Sequence, residues 1–164
     1  MGLSTLGILH TIIGVLAIAG AVAGFFKYGK INLDKRSGKV YFYASIVTSL
    51  SALGISKQGG FNAGHVFSLF ILVLLVVAYV LFTRHKVNRG RYLENFLLSF
   101  SFFLSLVPTV NETLTRIPLG HPLAKDTKDP LIAHTLLIFF VLFIVGSIYQ
   151  FVKEKRRIVF NNHL

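Results

Sequence analysis

Long apolar runs alternate with short polar stretches along the whole chain. The apolar runs lie at about residues 3–26, 40–55, 61–82, 92–110 and 131–152. A helix needs about 20 predominantly apolar residues to cross the hydrocarbon core of a bilayer. The pattern therefore predicts an all-α integral membrane protein, in which residues 1–164 form a single domain, a bundle of five transmembrane helices.

The composition agrees with lipid as the solvent of this chain. Hydrophobic residues make up 54% of the sequence and charged residues 14%, whereas a soluble domain is about a quarter charged. The connections between the apolar runs are too short to hold a separate soluble domain. Cysteine is absent, which excludes disulfides, thiolate metal sites and cysteine nucleophiles.

The basic residues predict an orientation in the membrane. Of the 17 Lys and Arg residues, five lie in residues 27–39, four in 83–91 and four in 153–157. These stretches fall on one side of a five-helix bundle, and the side with excess Lys and Arg is cytoplasmic. We therefore expect the N-terminus outside and the C-terminus in the cytoplasm, in the inner (plasma) membrane of a bacterial cell. Charges clustered in this way argue against nucleic acid as a partner.

Small residues form a regular pattern in the first apolar run. Spacings of three and four place Gly7, His10, Gly14, Ala17, Ala21 and Gly24 on one helix face. In lipid, such faces are where helices approach each other closely. We therefore expect His10 to face neighbouring helices. The second run is short and rich in hydroxyl groups, so it is expected to lie among other helices, and Pro108 is expected to kink or end the fourth helix.

Three histidines recur at similar positions in alternate apolar runs. His10, His65 and His134 lie seven, four and three residues after the starts of the first, third and fifth runs. At about 1.5 Å per residue, their depths below the outer surface differ by at most roughly 6 Å. Imidazole is a common ligand of zinc, copper and iron, including haem iron. The spacing predicts a site for haem b or a transition metal (Fe, Cu or Zn) on these three residues, near the outer leaflet.

Polar residues on the same side offer further partners for this site. His121 is a candidate fourth metal ligand, Glu112 a candidate ligand or general base, and Arg116 a candidate partner for haem propionates. Hydroxyls of Ser68 and Thr135 are placed to orient the ligands. The alternative for each histidine is an ordinary packing or surface role, and Glu112 and Arg116 have the spacing of an ion pair within one helix.

Three functions remain open on the sequence alone. The first is electron transfer or redox chemistry at a histidine-bound cofactor, with a quinone or lipid as substrate. The second is a non-enzymatic small subunit or scaffold of a larger membrane complex, in contact with other membrane subunits. The third is a zinc-dependent membrane hydrolase that uses Glu112 as its base. Whether the chain is an enzyme is left open, and no catalytic residue is assigned.

Short motifs resemble those of a family of small bacterial membrane proteins of unknown function. They are His10-Thr11-Ile12-Ile13-Gly14, Gly38-Lys39-Val40-Tyr41, the stretch from Gly60 through His65 to Ser68, and Leu106-Val107-Pro108. The resemblance covers about residues 8–118 and implies that His10 and His65 are motif residues, without implying an activity. The chain departs from the family pattern at Lys35-Arg36-Ser37, where a histidine is usual, and at Pro108-Thr109-Val110, where Pro-Gly-Arg is usual.

Overall fold

The computed structural model describes residues 4–55, 60–84, 88–118 and 120–161, and within them it contains five α-helices and no strand. The helices are α1 (Thr5–Tyr28), α2 (Arg36–Ala52), α3 (Ala63–Arg84), α4 (Asn88–Leu114) and α5 (Pro130–Asn161). Four of them, α1, α3, α4 and α5, are long and apolar enough to cross a membrane. The chain is therefore an all-helical, multi-pass membrane protein.

Three helices have bounds that differ clearly from those expected. Helix α2 begins earlier, at Arg36, and α5 continues beyond residue 152 to Asn161. The added part of α5 is rich in Lys, Arg and Glu, which are good helix formers. Helix α4 does not end near Pro108 but continues to Leu114. Around this proline, Thr109 donates to the Ser105 carbonyl at 2.7 Å and Asn111 to the Val107 carbonyl at 3.1 Å.

The small-residue face of α1 packs along α2, as the sequence predicts. Gly7, Ala17, Ala21 and Gly24 are all buried. A Cβ atom placed on Gly20 would lie 2.8 Å from the backbone nitrogen of Tyr41, whereas one on Gly14 would lie 3.6 Å from the Thr48 side chain. The two helices run antiparallel in close backbone contact, because only glycine leaves room for such an approach.

The hydroxyl-rich helix α2 lies among its neighbours. It packs against α1 and α3, and Tyr41, which is 1% exposed, hydrogen-bonds through its hydroxyl to Ser101 Oγ of α4 at 2.7 Å. Ser45 and Ser49 are also buried. A buried hydroxyl in lipid needs a hydrogen-bond partner, and a neighbouring helix supplies it to Tyr41. The expectation that this short helix lies among other helices holds for the face with Tyr41, Ser45 and Ser49, whereas Tyr43, Val47 and Leu50 are exposed on its other side.

Helix α5 packs mainly on α4, through phenylalanine rings. Phe103 of α4 lies 5.7 Å from Phe140 and 5.5 Å from Phe143, measured between ring centroids. Before the helix, Asp129 accepts hydrogen bonds from the backbone N–H groups of Leu131 and Lys125, both at 3.0 Å. These two bonds hold the pKa of the Asp129 carboxyl below its usual value. Most of the remaining α5 surface is exposed and apolar.

The bundle has two ends of different chemistry. The histidine end contains the starts of α1, α3 and α5 and the ends of α2 and α4. There Leu6 approaches Gly54, and Ile132 packs with Val110. The basic end contains the connection between α1 and α2 and the last turns of α5, which meet through Lys30 and Glu154. Antiparallel packing thus places His10, His65 and His134 at the same end.

Candidate functional site at the histidine end

His10 is half-buried between α1 and α2. Its Nδ1 lies 3.0 Å from Ser51 Oγ, and the Ser51 hydroxyl donates to the Thr48 carbonyl at 2.9 Å. With the Ser51 hydroxyl donating to the Thr48 carbonyl, its oxygen accepts from His10, and the imidazole proton lies on Nδ1. In the neutral ring, Nε2 is then an unprotonated acceptor. His10 therefore faces another helix, as expected from the small-residue pattern.

His65 is part of the cap at the start of α3. The Asn62 side chain accepts from the backbone N–H groups of Gly64 at 2.8 Å and His65 at 3.3 Å, and the Asn62 N–H donates to His65 Nδ1 at 3.0 Å. This is the reciprocal pattern of a capping box, with histidine in the position usually held by Glu or Gln. The spacing of Asn62 and His65 is a local signal that the sequence analysis missed.

The cap also determines the tautomer of His65. Since Nδ1 accepts a hydrogen bond, the neutral ring carries its proton on Nε2. His65 is only 6% exposed, its ring stacks on that of Phe61 at 5.4 Å, and Nε2 has no hydrogen-bond partner among the described residues. His65 thus presents a buried N–H donor, whereas His10 presents an acceptor.

The other residues of the expected site have separate environments. His134 is exposed on α5, and His121 is exposed in the connection before it. The Ser68 and Thr135 hydroxyls donate to carbonyls of their own helices, Gly64 and Leu131, at 2.8 and 2.7 Å. Glu112 and Arg116 form an ion pair within α4, as their spacing indicates. Glu112 also lies near enough to His10 to interact with it electrostatically.

The donor groups do not fit the expected metal centre. Among the described residues, no three His, Asp or Glu side chains form a group that could hold a metal ion, so the structure does not bring His10, His65 and His134 together at one point. A metal-ligating histidine uses one nitrogen lone pair and donates its other N–H to an acceptor. His10 matches this pattern, but His65 has the reverse one, since its Nδ1 accepts and its Nε2 is protonated. The same tautomer does not suit a haem ligand.

A second polar cluster, not expected from the sequence, lies at the basic end. Lys30 Nζ contacts Glu154 Oε2 at 3.2 Å, and Ser99 of α4 donates to Gln150 Oε1 of α5 at 3.1 Å. Glu94 is buried near Lys30. Polar side chains that meet between helices in lipid hold the helices together. This cluster therefore joins α4 and α5 to the connection between α1 and α2.

Comparison with known proteins adds no identification. No family model, curated protein or solved structure matches the chain. The resemblance to a family of small bacterial membrane proteins stays a prediction.

Proposed function

We propose that this chain is a non-enzymatic subunit of a membrane electron-transfer system, and that its histidine end binds a membrane-soluble carbonyl compound of the quinone class. The observation that carries the proposal is the buried Nε2–H of His65, for which the described residues supply no acceptor. Of the histidines predicted from the sequence, His10 and His65 take part in this site, through hydrogen bonds to a quinone rather than through metal ligation.

The chemistry of the site favours a neutral acceptor. A buried donor without a partner costs about 1–3 kcal/mol. A ligand that supplies an acceptor to His65 Nε2 gains this free energy, less the cost of moving the side chains that cover the atom. A carbonyl oxygen meets this need without bringing a charge into an apolar surrounding. The Phe61 ring beside His65 is 70% exposed and offers a flat aromatic surface for a conjugated ring. His10 offers an acceptor for the hydroxyl of a reduced quinone at the same end.

His65→Gln is expected to lower the affinity for a short-chain quinone, such as decylubiquinone, by about tenfold, the equivalent of one hydrogen bond. Glutamine suits the cap position and accepts from Asn62, so the thermal stability should stay close to that of the unchanged protein. Its amide still carries N–H donors, but the flexible side chain does not hold them rigidly at the position of His65 Nε2–H. Binding is measured by titration of the detergent-purified protein, with unfolding temperature as the folding control.

His134→Gln is the matched control, because His134 is exposed on α5 and should leave quinone affinity unchanged. Equal affinity of His65→Gln and the unchanged protein would contradict the proposal, and so would the absence of quinone binding. Phospholipid ester carbonyls are the competing source of acceptors, so equal displacement by short-chain phosphatidylcholine would assign the site to lipid. A Soret band or stoichiometric metal in the purified protein would restore the cofactor interpretation.

The proposal includes five membrane crossings, with the histidine end outside. Helix α2 is not among the four helices that are long and apolar enough by themselves. Its position beside α1 supports a fifth crossing. Ser37, near the start of α2, lies close to Gly24 of α1, and Gly54, just after α2, lies close to Leu6 of α1. A helix paired over this length reaches nearly the same depth as its partner. The excess of Lys and Arg at the other end supports a cytoplasmic location for that end.

Single-cysteine labelling tests this topology, since the chain has no native cysteine. Leu53→Cys and Lys128→Cys are expected to react with a membrane-impermeant maleimide in intact cells. Lys35→Cys and Lys155→Cys are expected to react only after permeabilisation. Labelling of Lys35→Cys and Leu53→Cys from the same side would show that α2 does not cross the membrane. The reverse pattern at all four positions would show that the orientation is the opposite of the one proposed.

A further inference from the structure

The basic end joins two segments that are far apart in the sequence. Lys30 Nζ lies 3.2 Å from Glu154 Oε2, and Lys153 Nζ donates to the Tyr28 carbonyl at 3.2 Å. These contacts hold the connection after α1 against the last turns of α5. Residues 27–39 and 153–157, which we call the basic surface, thereby become one continuous region.

The basic surface has a strong excess of positive charge. It contains nine Lys and Arg residues against two acids, Asp34 and Glu154. Glu154 is buried and pairs with Lys30 at 3.2 Å and with Arg157 at 3.6 Å, and the basic surface still keeps a large excess of positive charge. The exposed cations are Lys27, Lys35, Arg36, Lys39, Lys153, Lys155, Arg156 and Arg157.

The described part of the opposite end is electrically balanced. Arg116 is paired with Glu112, and Lys125 and Lys128 stand beside Asp126 and Asp129. The excess charge is therefore a property of one end of the bundle rather than of its whole surface.

Exposed apolar residues lie directly beside these cations. Phe26, next to Lys27, is 87% exposed, and Val152, next to Lys153, is 41% exposed. A soluble polyanion has no apolar part that could contact these residues. A phospholipid has a charged headgroup for the cations and acyl chains for the apolar side chains. Basic residues beside membrane-spanning helices attract anionic headgroups, and basic regions between helices bind them specifically.

We propose that the basic surface binds the headgroups of anionic phospholipids, with phosphates between the two basic segments and acyl chains along Phe26 and Val152. This site is independent of the quinone proposal, because it lies at the other end of the bundle. Bound lipid links the connection after α1 to the end of α5, so it should stabilise the folded protein.

Addition of phosphatidylglycerol to the full chain in neutral detergent is expected to raise its unfolding temperature by about 3–5 °C. This is the size of shift expected when a bound ligand stabilises the folded state of a domain of this length. Phosphatidylcholine should have no such effect. The difference should shrink at high salt, because the Debye length falls from about 10 Å at 0.1 M to about 3 Å at 1 M.

The combined variant Lys35→Gln/Arg36→Gln/Lys155→Gln/Arg156→Gln is expected to lose the response to phosphatidylglycerol, whereas the control Lys125→Gln/Lys128→Gln should keep it. Native mass spectrometry should show fewer bound phosphatidylglycerol molecules for the first variant only. If the four changes prevent folding, Lys35→Gln/Arg36→Gln should show the weakened response. An equal response of the two variant sets, no preference for phosphatidylglycerol, or the same stabilisation by a soluble polyglutamate would overturn the proposal.

Discussion

Gly38→Ala is expected to lower the free energy of unfolding by about 3 kcal/mol, the upper end of the usual cost of overpacking a core. A Cβ atom on Gly38 would overlap the carbonyl oxygen and carbon of Asn32. These are backbone atoms of the connection between α1 and α2, so no side-chain rotation relieves the overlap. The measurement is the unfolding midpoint of the purified protein in mild detergent.

Two other glycines are matched controls for this substitution. A Cβ on Gly14 would make an ordinary contact of 3.6 Å with Thr48, and one on Gly146 of α5 would meet nothing within 4 Å. Gly14→Ala should be close to neutral, and Gly146→Ala should gain up to about 1 kcal/mol from the higher helix propensity of alanine. Equal stabilities of Gly38→Ala and Gly146→Ala would show that the connection does not lie against α2 at this point.

Glu154→Gln is expected to destabilise the protein by about 2 kcal/mol. The loss of one partner from a fully buried ion pair costs about 3–5 kcal/mol. The value here should be lower, because the Lys30 side chain is 18% exposed and Glu94 lies near it. The measurement is again the unfolding midpoint, at low and at high salt.

A double-mutant cycle with Lys30→Met separates the pair from its surroundings. Together, the two changes should cost less than the sum of the single changes. Each single change leaves the other member of the pair as an unpaired charge, whereas the double variant leaves neither. Lys155→Gln is the control, since Lys155 is exposed next to Glu154 in the chain. Strict additivity of Lys30→Met and Glu154→Gln would mean that the contact between Lys30 and Glu154 contributes nothing.

The features of the fold that follow from helical periodicity could be predicted from the sequence. Spacings of three and four placed Gly7, Ala17 and Ala21 on one face, and that face is buried. The hydroxyl groups of α2 indicated contact with other helices, which Tyr41 and Ser101 make. Pro108 did not predict where α4 ends, because the helix continues beyond it to Leu114.

The candidate site was harder to predict, since its chemistry depends on individual hydrogen bonds rather than on where residues lie along a helix. The spacing of His10 and His65 located them along their helices, but the proton position on each ring follows from Ser51 and Asn62. Asn62 is three residues from His65 and could have been found locally. Lys30 and Glu154 are 124 residues apart, and no periodicity relates them.

That separation has a consequence for synthesis of the chain. The contacts between α1 and α2 lie within residues 6–54, so this pair of helices can form as soon as it has left the ribosome. Lys30 meets Glu154 only after the last turns of α5 are made. Until then, water or lipid headgroups must solvate the ammonium group, which keeps the connection after α1 at the membrane surface. Helix α5 thus completes a contact with a connection that is synthesised 124 residues before it.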